Sequence, residues 1–245
     1  MRQVLMGMLV VVLVAASLGW CTVAGVQVKA ITGSGKLEGR GYDLRGFTKV
    51  EAGNGCKLEV TAAEGFSVSL EMDDNLEEYL EVTVTGATLH IRTKPGLALA
   101  LNNVTRRATL TLPELTGLDL SGGTRGQVSG FRSEKNLDVT LSGGSQLYGD
   151  VSSGHARLNL SGGSLMEVTG AAGNLDINAS GGSRARLAGW SVQDVKIDAR
   201  GGSQVAVNLS SRLSGEASGG SRVQYSGNPT SVDVEESGGS RVEKQ

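Results

Sequence analysis

Residues 158–168 read LNLSGGSLMEV, and the SGGS at the centre of this stretch decides the fold. The same glycine pair, in most cases flanked by serines, occurs seven times in the second half of the chain. The first glycine of each pair is Gly122, Gly143, Gly162, Gly181, Gly201, Gly219 or Gly238, so successive pairs are 18 to 21 residues apart. A near-constant period of this length predicts an array of stacked repeats.

Within each repeat the apolar residues alternate with polar ones. Counted from the first glycine as zero, positions −4, −2, +4 and +6 are mostly apolar or small, as in Leu158, Leu160, Met166 and Val168 of the third repeat. Positions −3 and +3 are mostly polar. This period of two residues indicates strands that bury one face. Each repeat is therefore predicted to form a strand, a Gly-Gly corner and a second strand.

These features predict an all-β fold, a single-stranded parallel β-helix (solenoid) of 18–21 residues per coil, for which we expect a right-handed coil. A propeller blade would need about 40 to 45 residues, and no helical pattern separates the strands. Glycine permits the backbone angles of a tight corner. The serine or threonine at position +2 is expected to point inward and to bond carbonyl groups of the coil above or below.

Residues 1–25 have the features of a secretory signal peptide. Arg2 is followed by an apolar run over 4–18 and then by small residues. An uncleaved membrane anchor is one alternative. Lipidation of Cys21 is another, although Trp20 is larger than the residue that normally precedes a lipidated cysteine. In each case this segment provides the predicted contact with a membrane.

Residues 26–46 are rich in glycine and are predicted to be a lead-in segment. Residues 47–245 are predicted to form the β-helix, with less regular N-terminal coils over 47–112 and the seven repeats over 113–245. The irregular coils are expected to cap the stack, because an open end exposes strand edges. Cys56 is expected to be buried, and the cysteine content predicts no intramolecular disulfide.

The composition argues against several classes of function. The net charge of −2 provides no basic footprint for nucleic acid. The chain has two histidines, nine aromatic residues (Trp190 among them, as a lone spacer residue) and no distinctive carboxylate pair of the kind glycoside hydrolysis needs. We therefore predict no catalytic residues, no metal site and no cofactor. A polysaccharide-active enzyme is the less favoured alternative.

Several motifs resemble those of a bacterial family called putative auto-transporter adhesin, head GIN domain. They are 47–50 leading into 53–55, the strand at 89–92, Leu112-Pro113 before Leu118, and the recurring Ser-Gly-Gly-Ser, and together they span roughly residues 45–243. The resemblance implies a secreted or surface β-helical domain in the periplasm, outer membrane or cell surface of a bacterium. It transfers no active site. We expect an adhesin-like binding module, or alternatively a structural element of the envelope that stacks end to end.

Two outward columns contain the candidate ligand contacts. The +3 column contains Arg125, Arg184, Arg222 and Arg241, and the −3 column contains Asp198, Glu216 and Glu235. The arginines can bind an acidic envelope glycan or a surface protein, or they can serve only solubility. The acids should lie about 5 Å apart and repel one another. Either a calcium-like cation bridges them or they form a solvated face.

Overall fold

The computed structural model describes residues 13–14, 20–23 and 26–245, with side chains from residue 28 onward. Most of the predicted signal peptide or anchor, and the side chain of Cys21, lie outside the described residues. Among the residues described, no helix is long and apolar enough to cross a membrane.

In the N-terminal half, the residues that the structure describes form eleven strands and one short 3₁₀ helix, Asp74–Tyr79. The strands are Leu13–Val14 (β1), Trp20–Val23 (β2), Val26–Thr32 (β3), Leu37–Tyr42 (β4), Lys49–Ala52 (β5), Lys57–Ala62 (β6), Ser67–Asp73 (β7), Leu80–Thr85 (β8), Thr88–Thr93 (β9), Ala98–Asn102 (β10) and Arg106–Leu112 (β11). The predicted lead-in at 26–46 thus contains β3 and β4. The boundaries of the predicted segments stay predictions.

The repeat region contains ten strands, several of them long because the chain bends without breaking its pairing. They are Gly117–Leu120 (β12), Arg125–Arg132 (β13), Leu137–Leu141 (β14), Gln146–Leu160 (β15), Leu165–Ala179 (β16), Arg184–Ala199 (β17), Gln204–Ala217 (β18), Arg222–Gly227 (β19), Ser231–Glu236 (β20) and Arg241–Lys244 (β21).

Consecutive coils stack in parallel and in register. Leu147 lies opposite Met166, and Leu158 lies opposite Ile177, one repeat further along the chain. Like side chains therefore form columns along the rod, about 4.8 Å apart. The stacking confirms the predicted parallel β-solenoid, while the handedness of its coil stays a prediction.

The corners divide the rod into two main faces. The pre-corner face, formed by the residues before each Gly-Gly pair, runs from β8 through β9, β5, β12 and β14 to the second halves of β15–β18 and to β20. The post-corner face runs from β4 through β7, β11, β6 and β13 to the first halves of β15–β18, then to β19 and β21. A third side lies where the long strands bend.

The even positions form the core between these faces. Leu158, Leu160, Met166 and Val168 are buried, as are most of their equivalents in other coils. Trp190 is also part of this core. It lies within β17 and is 0 % exposed, so it is a core residue, where the sequence indicated a lone spacer residue.

Each Gly-Gly corner has the φ pattern of a type I′ turn. In the fourth repeat Gly181 and Gly182 have φ of 61° and 73°, and the N–H of Ser183 donates to the carbonyl of Ser180. Positive φ at both central positions defines this turn type and explains the need for glycine. The need for positive φ at both positions of the turn thus explains why a Gly-Gly pair recurs once in every coil of the repeat region.

An eighth corner lies beneath the first repeat. Asn54 and Gly55 have φ of 60° and 79°, and Gly122 stacks directly on the backbone of Asn54. Cys56 takes the place of the serine at position +2, since its carbonyl accepts the N–H of Arg125, as Thr124 does from Gln146. The Gly-Gly period does not reveal this corner, because asparagine replaces the first glycine.

The hydroxyl groups at position +2 point inward, but most bond differently from the prediction. Five of them donate to the carbonyl at position −1 of their own corner, at 2.5–2.8 Å: Thr124, Ser145, Ser164, Ser221 and Ser240. Only Ser183 and Ser203 reach carbonyls of the preceding coil, those of Leu160 and Ala179. The type I′ turn brings its own carbonyl closest, so the hydroxyl mainly reinforces the turn.

The two ends of the rod differ. At the N-terminal end β4, β7 and β8 run antiparallel to their neighbours. There Asp73, 1 % exposed, accepts the N–H groups of Gly35 and Thr105 at 2.7 Å each. At the C-terminal end β20 and β21 are the last strands. Their inward positions −2 and +6 carry Glu236 and Lys244, where other coils carry mostly apolar or small residues.

Candidate ligand-binding face

The predicted arginines all lie on the post-corner face, but they do not form one cluster. Arg184, Gln204, Arg222 and Arg241 occupy successive coils of the +3 column. Arg125 is separated from them because Gln146 and Leu165 intervene. Its guanidinium donates twice to Gln146 Oε1, at 3.1 and 2.9 Å. The structure thus places Arg184, Arg222 and Arg241 in one column, within four successive coils.

Arg184 and Arg222 line a groove that we call the basic groove. Its volume is about 230 Å³, and its lining side chains include Arg184, Arg186, Gln204, Ala206, Arg222 and Gln224. The groove forms because Ala206 lies in the +5 column between the longer side chains of Arg186 and Gln224. Arg186 was not among the predicted contacts, although its position two residues after Arg184 on an alternating strand places it on the same face.

The charge of the basic groove is only partly neutralised. Arg186 Nη1 lies 3.2 Å from Glu167 Oε2, and Arg222 Nε lies 3.8 Å from Glu243 Oε1. Within the described part of the chain, no carboxylate lies within 4.0 Å of the Arg184 guanidinium. The groove therefore presents exposed positive charge in its first and third coils, with a carboxylate beyond each end of its +5 column.

The predicted acidic column lies on the pre-corner face, with Asp198, Glu216 and Glu235 in register. Arg200 lies between two of them: its Nε is 2.6 Å from Asp198 Oδ1, and its Nη2 is 3.6 Å from Glu216 Oε2. Arg200 is the one residue that replaces serine at position −1 of the repeats, and sequence reasoning missed its role. Among the side chains described, no group of three or more His, Cys, Asp and Glu residues is arranged to hold a metal.

The −3 column continues toward the N-terminal end through residues that the sequence did not single out. Asp119 lies opposite Glu51, and Glu51 lies opposite His90. His90 Nδ1 is 2.7 Å from Glu51 Oε2. Burial, together with the charge of Glu51, raises the pKa of Asp119. Glu51 and Asp119 border a notch of about 230 Å³ beside Gly117, where Lys49 adds a positive charge. With Asp138 the lining has three carboxylates and one lysine, so the notch is predominantly acidic and does not suit an anionic ligand.

The third side has a larger trough of about 540 Å³, lined mainly by small residues such as Ser152, Gly154, Ala171 and Gly173. It exists because the coils approach closely there: a Cβ at Gly154 would lie 2.1 Å from the carbonyl oxygen of Glu134. Arg132 and Glu134 also line the trough, so its charges are balanced. The basic groove is thus the surface with the clearest preference for an anionic ligand.

The chain is a parallel β-solenoid, and it belongs to the family described as putative auto-transporter adhesin, head GIN domain. The family match covers residues 46–229, which is more than half of the sequence. This confirms the resemblance inferred from the motifs. No curated protein is significantly similar to the chain.

Solved structures share the fold at low sequence identity. A putative adhesin from Bacteroides fragilis is 18 % identical, with a TM-score of 0.80 over 88 % of this chain and 100 % of that one. A putative lipid binding protein from Parabacteroides distasonis is 17 % identical, with a TM-score of 0.66 over 89 % and 100 %. A putative adhesin from Parabacteroides merdae is 15 % identical, with a TM-score of 0.64 over 88 % and 99 %.

Proposed function

We propose that this protein is an exported, non-enzymatic binding module of the bacterial envelope or cell surface, and that its basic groove binds an acidic glycan. One observation carries the proposal. The exposed guanidinium groups of Arg184, Arg186 and Arg222 line one groove, and that of Arg184 has no carboxylate partner among the described residues. The adhesin family and the predicted signal peptide support an exported location.

The side chains of the basic groove match the chemistry of such a ligand. Arginine forms paired, charge-assisted hydrogen bonds with carboxylate and sulfate groups. Gln204 and Gln224 add amides, which both donate and accept and therefore suit sugar hydroxyl groups. The groove lies on an extended face of stacked strands, which suits a chain-like ligand.

Binding of acidic and neutral oligosaccharides to the mature protein, measured by calorimetry at low and at physiological salt, tests this proposal. We expect Arg184→Gln combined with Arg222→Gln to weaken binding of the acidic ligand about tenfold or more, because two charge-assisted contacts are lost. Arg157→Gln is the matched control, since Arg157 is an exposed arginine of the pre-corner face, 3.3 Å from Asp138. Equal binding by all three proteins would contradict the proposal.

The basic groove has no acids placed for sugar hydrolysis. Such a reaction needs two carboxyl groups on either side of the bond to be cleaved, and none of the residues that line this groove is acidic. This supports a binding role over the enzymatic alternative. Prolonged incubation with the bound oligosaccharide is expected to leave its chain length unchanged, as measured by mass spectrometry.

Assembly of the rods end to end is the other candidate function. The uncovered strands β20 and β21 favour it, because unpaired strand edges can add further strands. The charges of Glu236 and Lys244 at inward positions of the same coil oppose it. We therefore favour the binding module.

A further inference from the structure

The arginines of the basic groove are arranged with a period along the rod. Arg184 and Arg222 occupy the same column two coils apart, and Gln204 occupies the coil between them. With a coil spacing of about 4.8 Å, the two arginine positions are separated by about 10 Å. Within the groove the order along the axis is therefore charge, amide, charge; Arg241, one coil further along the column, does not line the groove.

Carboxylates limit this arrangement at both ends. In the adjacent +5 column Glu167 lies one coil before Arg186, and Glu243 lies one coil after Gln224. Negative side chains repel an anionic ligand. The surface that favours such a ligand therefore covers three coils, those that contain Arg184, Gln204 and Arg222. Across the rod, the row of Arg184 and Arg186 is flanked by Gly182 and Ala188, which offer no polar side chain. The polar groups thus favour a ligand that runs along the axis.

The coil spacing is close to the length of one sugar unit in an extended, β-linked polysaccharide. A chain lying along the axis then places one sugar over each coil. Its first and third sugars lie at arginines, and the sugar between them lies at the amide of Gln204, which can bond hydroxyl or acetamido groups.

We infer that the ligand is a linear polysaccharide that lies along the rod axis with carboxylates on alternate sugars. This inference rests on the proposed function, because it specifies the charge pattern and the direction of the acidic glycan in the same groove. It goes beyond it by excluding chains with a carboxylate on every sugar as the preferred ligand.

The test compares three hexasaccharides of similar length by calorimetry. The first alternates glucuronate with N-acetylglucosamine, the second is an oligomannuronate with a carboxylate on every sugar, and the third is a neutral chitin oligosaccharide. We expect the alternating ligand to bind about fivefold more tightly than the oligomannuronate, although it has half the charge, because its neutral sugars match Gln204. The expected difference is that of about one exposed charge contact.

The variant Gln204→Arg sharpens the test because it makes all three coils basic. It should shift the preference to the oligomannuronate. If the wild-type protein binds the oligomannuronate as tightly as the alternating ligand, or more tightly, the inference is overturned. If the double variant Arg184→Gln with Arg222→Gln then abolishes binding of the oligomannuronate, the proposed function stands. Absence of binding to either acidic ligand overturns both.

Discussion

The two glycines of each corner meet different constraints, although both have positive φ. A Cβ on Gly181 would lie 3.1 Å from the backbone nitrogen of Gly162 in the coil beneath. A Cβ on Gly182 would meet no atom within 4 Å. In this corner the first position therefore requires glycine for both conformation and space, and the second for conformation alone; at Gly201 the corresponding distance is 3.5 Å, an ordinary contact. Asparagine can stand at the first position only in the corner at Asn54, where no Gly-Gly corner lies beneath.

Alanine substitutions separate these two requirements. Gly182→Ala should destabilise the protein by about 1 to 2 kcal/mol, the cost of a left-handed residue with a Cβ. Gly181→Ala should cost at least about 1 kcal/mol more, because the methyl group also presses on the coil beneath. Urea denaturation followed by circular dichroism measures both, and Gly182→Asn is the control, since asparagine tolerates positive φ. Equal losses for the two alanine variants would show that space is not limiting.

Cys56 provides a second test at the residue scale. Burial raises the pKa of its thiol from 9.0 to about 11, with the nearby Arg106 partly opposing the change. The folded state therefore keeps the proton that the unfolded chain loses near pH 9. The resulting stabilisation is fully present below about pH 9 and is lost as the pH rises through about 11, which amounts to about 2 to 3 kcal/mol.

The variant Cys56→Ser isolates this effect, since serine stands at the equivalent position of most other corners. We expect its stability at pH 7 to be within about 1 kcal/mol of the wild type. Between pH 9 and 11 the wild type should lose stability more steeply than the variant in urea titrations. Parallel pH profiles of the two proteins would argue against a protonated, buried thiol.

At the scale of the strand, stacked columns force side chains of like charge to be neighbours. On the pre-corner face this is resolved by Arg200, which replaces a serine of the repeat and contacts both Asp198 and Glu216. Neighbouring residues of the −5 column reduce repulsion by alternating in sign, as in the pair Arg157 and Asp138. The sequence predicted the repulsion, but it did not indicate that an arginine at the corner reaches two coils.

Restoring the repeat by Arg200→Ser should reverse this compensation. We expect a loss of about 1 kcal/mol at low ionic strength, reduced by added salt, because exposed ion pairs are screened. Millimolar Ca²⁺ should then stabilise the variant but leave the thermal midpoint of the wild type unchanged. Differential scanning calorimetry measures both effects, and Arg157→Ser serves as a control for loss of an arginine elsewhere on the face. A wild-type midpoint that rises with Ca²⁺ would support a cation site in the acidic column instead.

At the scale of the whole molecule, the two ends of the stack prevent its extension by different means. The N-terminal end is closed by antiparallel strands and by the ion pair of Arg40 with Glu77. At the C-terminal end, β20 and β21 carry Glu236 and Lys244 at inward positions. Inward charges at a sheet edge oppose further pairing.

Removing those charges should promote association. The double variant Glu236→Leu with Lys244→Leu is expected to form dimers or longer assemblies at micromolar concentration, as measured by sedimentation velocity, while the wild type stays monomeric. Glu235→Leu is the matched control, because Glu235 is in the same strand but at an outward position. Wild-type rods that already associate would favour the assembly function.

The parts of the molecule that obey the repeat could be predicted from the sequence, and the parts that interrupt it could not. The register of Arg184, Gln204 and Arg222 follows from counting residues after each Gly-Gly pair. The corner at Asn54 was missed because asparagine replaces its first glycine and because β7–β11 separate it in the sequence from the first Gly-Gly repeat. The sequence predicted Arg184 and Arg222 of the basic groove but not the groove itself, because the groove depends on the small size of Ala206 relative to its neighbours in adjacent coils.

The stacking direction also determines how the protein responds to tension. The described N-terminal strands and the C-terminal strand β21 lie at opposite ends of the rod, so a force applied to the two termini acts along the hydrogen bonds between coils. Such bonds open one coil after another, beginning at the uncovered C-terminal coil. Each coil of about 19 residues should release about 65 Å of chain. In single-molecule force measurements the molecule is therefore expected to lengthen in small, regular steps, one for each coil that unfolds.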